Sequence, residues 1–200
     1  MIPMTSVEDT CPRHFGHGVF VVILIVAIVL VAAVSLAGDP PTNASVRATE
    51  QFREIHKELR VHLNHMTALV SKLPRQTTDE QKAGMNEVVS LLSDYIHTHA
   101  NAEEEALYPV VDKMAGSTDP YLFTATMRYE HRIIGRWINE LRNHANQATP
   151  DVTAFARRAD NVIGLVSAHF EEEEDILLPV LDATMTVAQF KKEVLDKMNE

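Results

Sequence analysis

His99-Ala-Asn-Ala-Glu103-Glu-Glu-Ala-Leu-Tyr-Pro109-Val-Val-Asp112 and His169-Phe-Glu-Glu-Glu173-Glu-Asp-Ile-Leu-Leu-Pro179-Val-Leu-Asp182 are two copies of one pattern, and they align without a gap. Each copy keeps His and Glu at i and i+4, Pro at i+10 and Asp at i+13. A second pair precedes them, Glu54-Ile-His56 before the first copy and Tyr-Glu130-His131 before the second. His56 to His99 spans 43 residues and His131 to His169 spans 38, a difference that fits in the loop joining the first two helices. The domain therefore reads as two helical hairpins, each carrying one lone His and one His-x3-Glu pair.

The spacing carries the chemistry. Positions i and i+4 of a helix face the same way and lie about 5–6 Å apart, so an imidazole and a carboxylate there can reach one metal or bridge two. Inward-facing sets of this kind are how helical bundles build di-iron sites. His56, His99, His131 and His169 are expected as terminal ligands and Glu103 and Glu173 as bridges. Which histidines share a metal is left open. Imidazole with carboxylate suits Fe, Zn, Cu or Mn better than Ca or Mg; two iron ions are the expected cofactor, with other transition metals possible.

Working outward, the apolar positions Phe52, Ile55, Leu59, Leu63, Met66 and Val70 follow helical spacing. We read a first helix over 44–73, stopping before Pro74. A second runs from a cap at Thr78 to Leu107, breaks or kinks at Pro109 and leaves a tail to Gly116. A third spans 118–145 with Pro120 in its first turn. A fourth is opened by Thr149-Pro150-Asp151 and interrupted at Pro179, and a short helix begins at Thr186. Four long helices with short connections imply an all-α, antiparallel up-and-down four-helix bundle closed by a short C-terminal helix.

The remaining histidines and acids are read as bystanders. His62, His65 and His97 align with Trp137, Glu140 and Ser167, so the repeat gives them no partner. They, with His14, His17 and His144, are expected to be non-ligands. Glu104, Glu105, Glu171, Glu172 and Glu174 read as an exposed acidic edge, with Glu174 able to coordinate under a different helix phase. Met66, Phe52, Trp137 and Met127 read as core.

Composition narrows the function classes. The 200 residues carry a formal net charge of -10 and no basic patch, which argues against nucleic acid as a partner. Cys11 is the single cysteine, which excludes an intrachain disulfide, a Cys-type zinc site and an iron–sulfur cluster held by one chain. No Asp, Glu, Lys or Arg falls between Arg13 and Asp39, and Val19 to Val34 is unbroken apolar. Residues 19–37, at about 1.5 Å per residue, span roughly 28 Å, close to a bilayer's hydrocarbon thickness.

The domain reading is an N-terminal tail at 1–18, a transmembrane or signal-anchor segment at 19–37, a linker at 38–46 and a helical domain at 47–200. An uncleaved single-pass anchor in the lipid bilayer is the expectation, because the eighteen-residue n-region is acidic and the apolar core is long. The alternative is export after signal cleavage near Ala37. Lys and Arg flanking the segment leave its orientation open. Nothing in the chain names a protein partner.

The lone histidines with "HANAEEEALYP" and "HFEEEEDILLP" resemble the hemerythrin-like, His-His-Glu cation-binding family over roughly 47–182. That resemblance implies a four-helix bundle with a non-haem di-iron centre that binds O2 or NO, or takes part in redox chemistry. The oxygen-carrying branch has a fifth histidine where this chain has Gly135, and a bridging Asp where it has Glu173. The four-His, two-Glu pattern is more similar to bacterial proteins that repair iron–sulfur centres, although those carry a cysteine-bearing N-terminal domain in place of the apolar segment. The expected function is a membrane-tethered di-iron protein that binds or senses O2, NO or peroxide. The alternatives are a peroxidase, oxidase, NO-reducing or iron-centre repair enzyme at the same site, or iron storage.

Overall fold

In a computed structural model, residues 46–119 and 121–199 are described; the tail at 1–18 and the apolar segment at 19–37 lie outside them. Val46–Glu200 forms one compact unit, and among the described residues every regular element is helical. No helix among them is long and apolar enough to cross a membrane.

Helix α1 is Glu50–Lys72, followed by a 3-10 turn at Leu73–Arg75 that contains Pro74. Helix α2 is a continuous run of Thr78–Leu91, Thr98–Ala102 and Tyr108–Met114, joined by π turns at Leu92–His97 and Glu103–Leu107. Helix α3 is Ala125–Ala145. Helix α4 joins Val152–Glu172 to Leu178–Thr184 through a π turn at Glu173–Leu177. A short α5 covers Val187–Phe190 and Asp196–Met198, again with a π turn between them. Helix α1 packs on α2 and α4, and α3 packs on the same two, as in a four-helix bundle.

The caps explain where helices begin. Thr77, one residue before the expected cap, forms a capping box with Glu80 at the start of α2. Asp151 accepts from the Ala154 N–H at the start of α4. The starts of α1 and α3 are held from afar. Asp182 accepts from the Thr49 N–H and hydroxyl, each at 2.9 Å, and Asp112 does the same for Thr124 at 3.0 and 2.8 Å. These tethers set α1 at Glu50 instead of residue 44. They set α3 at Ala125 instead of residue 118, with turns and a bend over 121–124; Pro120 lies outside the described residues. The Asp that closes each copy of the repeat is thus the clamp on a helix start, Asp112 for α3 and Asp182 for α1.

The expected break at Pro109 does not occur. Proline lacks an N–H, and its ring crowds the carbonyl four residues back. Each repeat proline follows a π turn, Glu103–Leu107 before Pro109 and Glu173–Leu177 before Pro179, and the helix continues beyond both. An i→i+5 turn widens the helix where the proline enters it.

Buried apolar side chains fall into two clusters. One runs from Leu59 to Val70 on α1, with Val88 and Leu92 on α2, Ile134 and Ile138 on α3, and Phe155 to Val166 on α4. The other joins Phe52, Leu107, Met127 and Leu177 to Phe190 and Val194 of α5. Phe52, Met66 and Met127 are core residues, whereas Trp137 is half-buried with the Arg158 guanidinium over its ring. Along every bundle helix the repeat's His and Glu fall between the two clusters, so a polar layer crosses an otherwise apolar interior.

Replacing Asp112 with Ala leaves the buried Thr124 N–H and hydroxyl without an acceptor. We expect a loss of about 2–3 kcal/mol, read as a lower denaturant midpoint by circular dichroism with unchanged helix content in buffer.

Candidate metal centre

Four helices supply the polar layer. His56 comes from α1, His99 and Glu103 from α2, His131 from α3, and His169 and Glu173 from α4. His56, Glu103 and Glu173 are fully buried, His131 and His169 nearly so, and the His99 side chain is 8 % exposed. All six expected residues converge, in two groups. Donor atoms of Glu103, His131, His169 and Glu173 lie within 4.8 Å of one another, as do those of His56, His99 and Glu103. This geometry resolves the pairing that spacing leaves open: His56 stands with His99, and His131 with His169.

Both carboxylates straddle the two groups. Glu103 Oε1 lies 2.8 Å from His99 Nε2 and 3.5 Å from His56 Nε2, while its Oε2 lies 3.3 Å from His131 Nε2. Glu173 Oε2 lies 3.4 Å from His56 Nε2, and its Oε1 lies 3.6 Å from His169 Nε2. That is the disposition a bridging carboxylate needs. His56 Nε2, His99 Nε2, both oxygens of Glu103 and Glu173 Oε2 are buried without a hydrogen-bond partner. Unpaired buried polar atoms cost about 1–3 kcal/mol each. A cluster of five, each within 3.5 Å of another His or Glu donor atom of the layer, fits cations bound among them.

The outward-facing imidazole nitrogens are engaged. His56 Nδ1 meets Glu174 at 2.9 Å, His131 Nδ1 meets Glu104 at 3.2 Å and His169 Nδ1 meets Glu130 at 2.8 Å. A carboxylate on Nδ1 fixes the tautomer that leaves Nε2 free to ligate, and it raises that nitrogen's basicity. Glu104 and Glu174 are therefore not the exposed edge expected of them: each meets an imidazole Nδ1. Arg60 bonds Glu174 at 2.7 Å and Arg128 pairs with Glu104. Despite partial burial, Arg60 and His56 hold the Glu174 carboxyl below its ordinary value. Glu105 and Glu171 are exposed and Glu172 half-buried.

Tyr108 is the residue that sequence reasoning missed. Its hydroxyl donates to Glu173 Oε1 at 2.7 Å and lies 3.1 Å from His131 Nε2 and 3.3 Å from His169 Nε2. At about 100° per residue, an α-helix would turn Tyr108 well away from Glu103, five residues earlier. The π turn between them brings the fifth residue back beneath the first. Burial, with the charges of Glu173 and Glu103 behind it, pushes the phenol well above its ordinary value, so it stays a donor.

The other described histidines stay outside, and His14 and His17 fall beyond the described residues. His65 is exposed beside Glu87, and His62 is half-buried and stacks on Tyr95. His97 is exposed, and its ring stands 3.6 Å from where a Cβ on Gly135 would be. His144 lies near Phe155, apart from the two groups. A space of about 10 Å³ adjoins the layer, walled by Ile96, Ala100, Ile134, Val166 and Phe170 beside His99, Glu103, His131 and His169.

Burial works to raise both central carboxyls. At Glu103 the imidazoles of His99, His131 and His56 outweigh it and hold the group well below its ordinary range. At Glu173 the charge of Glu103 adds to burial and pushes the group well above it. Without metal the folded pair thus keeps a proton that the unfolded chain releases in the ordinary carboxylate range. A folded pKa raised above the unfolded one gives stability that is complete below the unfolded value and lost as pH rises through the folded one. The metal-free Glu173→Gln variant removes this loss. We expect its melting advantage over the metal-free parent to grow by about 2–4 °C between about pH 5 and pH 7, the equivalent of about 1 kcal/mol.

In a comparison with known families, the hemerythrin HHE cation binding domain matches residues 47–181. No curated protein and no solved structure matches the chain. The matched span covers the two hairpins and the whole His/Glu layer, and the chain belongs to the hemerythrin HHE cation-binding family.

Proposed function

We propose that the domain holds two iron ions and binds or senses O2, NO or peroxide at them. The observation that carries this reading is the pair of donor groups sharing Glu103 inside a closed polar layer. His56 and His99 would hold one ion, His131 and His169 the other, with Glu103 and Glu173 spanning both. Iron bound there supplies a redox-active centre with affinity for diatomic ligands. The chain's own residues set the conditions. Carboxylates on three Nδ1 atoms hold the imidazoles in their ligating tautomer. Phe170, Ile134 and Val166 keep bulk water away, and the adjoining space of about 10 Å³ suits a diatomic molecule or a water but no organic substrate.

The apolar run at 19–37 supports placing this domain at a membrane as a single-pass anchored protein. Repeated consumption of peroxide or NO in stopped flow would instead mark an enzyme, because a sensor or carrier reacts once per binding event.

The full chain in detergent, loaded anaerobically with ferrous iron, is expected to retain about two irons per chain by metal analysis. Retention of none overturns the reading. His131→Ala is expected to lower retention to about one, since it removes a terminal donor from only one group. Only neutral imidazole ligates, so iron should leave as pH falls below about 6, and the loss should follow a visible charge-transfer band.

A further inference from the structure

A cleft opens between α3 and α4, toward the loop that joins them. Glu140 and His144 line it from α3, and Ala154, Arg157, Arg158 and Asn161 line it from α4. Glu140 and His144 stand one turn apart, and the α4 residues fall at i, i+3, i+4 and i+7, so each set shares a helix face. Ala154 brings only a methyl group, and the space between the two faces is about 270 Å³. His144 follows His131 by 13 residues, about 20 Å along α3. The cleft is therefore separate from the polar layer.

Its polar groups are short of partners. Arg157 is exposed and joins no ion pair among the described residues. Arg158 pairs with Glu140 at 3.2 Å, and its guanidinium lies over the Trp137 ring, 5.0 Å from the centroid. His144 is half-buried, and its Nε2 is shut off from solvent with no hydrogen-bond partner. A buried nitrogen left unpaired costs stability. Two guanidiniums beside a single carboxylate leave one positive charge over, on a chain whose formal net charge is -10.

We propose that this cleft is a second binding site, for a small organic carboxylate. Arg157 offers paired N–H groups that match the two oxygens of a carboxylate. His144 Nε2, in the tautomer that carries its proton there, donates to the same group. One surplus charge suits a carboxylate better than a phosphate group, whose charge approaches two. Leu141, which is fully buried, and Ala154 offer hydrocarbon to the rest of the molecule. A space of about 270 Å³ falls just below the range that takes drug-sized ligands, so the acid is a small one.

Trp137 is the only tryptophan in the chain, and Arg158 over its ring makes it a reporter of the cleft. The full chain in detergent is titrated with sodium butyrate while Trp137 emission is followed, with ionic strength held constant by chloride. The emission change is expected to saturate, with a midpoint roughly in the millimolar range. Arg157→Gln, at an exposed position, is expected to keep the parent's melting temperature and weaken binding about tenfold. Arg157→Lys keeps the charge without the fork and is expected to fall between. His144→Phe keeps a ring and removes the donor, and is expected to weaken binding about fivefold. Arg132→Gln removes the same charge from an exposed site on α3 nearer the polar layer, and is expected to change nothing. Emission that never saturates, an equal response to added chloride, tighter binding of inorganic phosphate than of butyrate, or equal weakening by Arg132→Gln and Arg157→Gln overturns the proposal.

Discussion

Two carboxylates enclosed among four imidazoles, with apolar side chains on both sides, form the constraint on which the rest of the domain depends. Isolated charges are costly to bury, and removing one partner of a buried set leaves the others uncompensated. Glu103 and Glu173 are fully buried, so every helix of the bundle must contribute to satisfying them. This explains the layered interior. Phe52, Leu107, Met127 and Leu177 close the layer on one side, and Leu59, Ile134 and Val166 close it on the other. Without a cation the two carboxylates are driven apart in proton affinity and several ligating atoms stay unpaired. The same buried His and Glu atoms are what make the layer a receptor for cations.

Support for that layer radiates outward in chains of contact. Glu174 orients His56 and is held by Arg60, and Glu104 orients His131 and is paired with Arg128. Arg128 also donates to Thr124, whose N–H is clamped by Asp112. A ligand on one helix is therefore placed by the start of that helix and by the end of another. Because the clamps join α2 to α3 and α4 to α1, the bundle is tied as a ring and not as two independent hairpins. The repeat prolines belong to the same construction. The π turns before them carry the helices on, and the turn in α2 swings Tyr108 beneath Glu103 into the centre.

Periodicity gave the number and order of the helices, and the repeat identified all six residues that meet at the centre. The repeat extends beyond the six residues of the layer. Asp112 and Asp182 stood in register as part of the pattern, and Thr49/Thr124 and Arg53/Arg128 share the 75-residue offset of the lone histidines. Those equal offsets are the sequence signal of the clamps. Helix starts at 44 and 118 were misplaced because residues that cap α1 and α3 lie 133 and 12 positions away, on other helices. Glu104 and Glu174 read as solvated because an acidic run on one helix does not reveal which imidazole of another helix faces it.

The sequence by itself determined the all-helical architecture, the two-hairpin organisation and the six His and Glu that converge in the layer, because those follow from residue type and from spacing along one helix. Only the tertiary structure decided which histidines share a donor group, that both carboxylates straddle the groups, and that Tyr108 stands in one half alone. Those are relations between helices, and the last depends on a π turn. A linear phase of about 100° per residue cannot express a turn of different width, and no spacing along one helix states how far its neighbour lies.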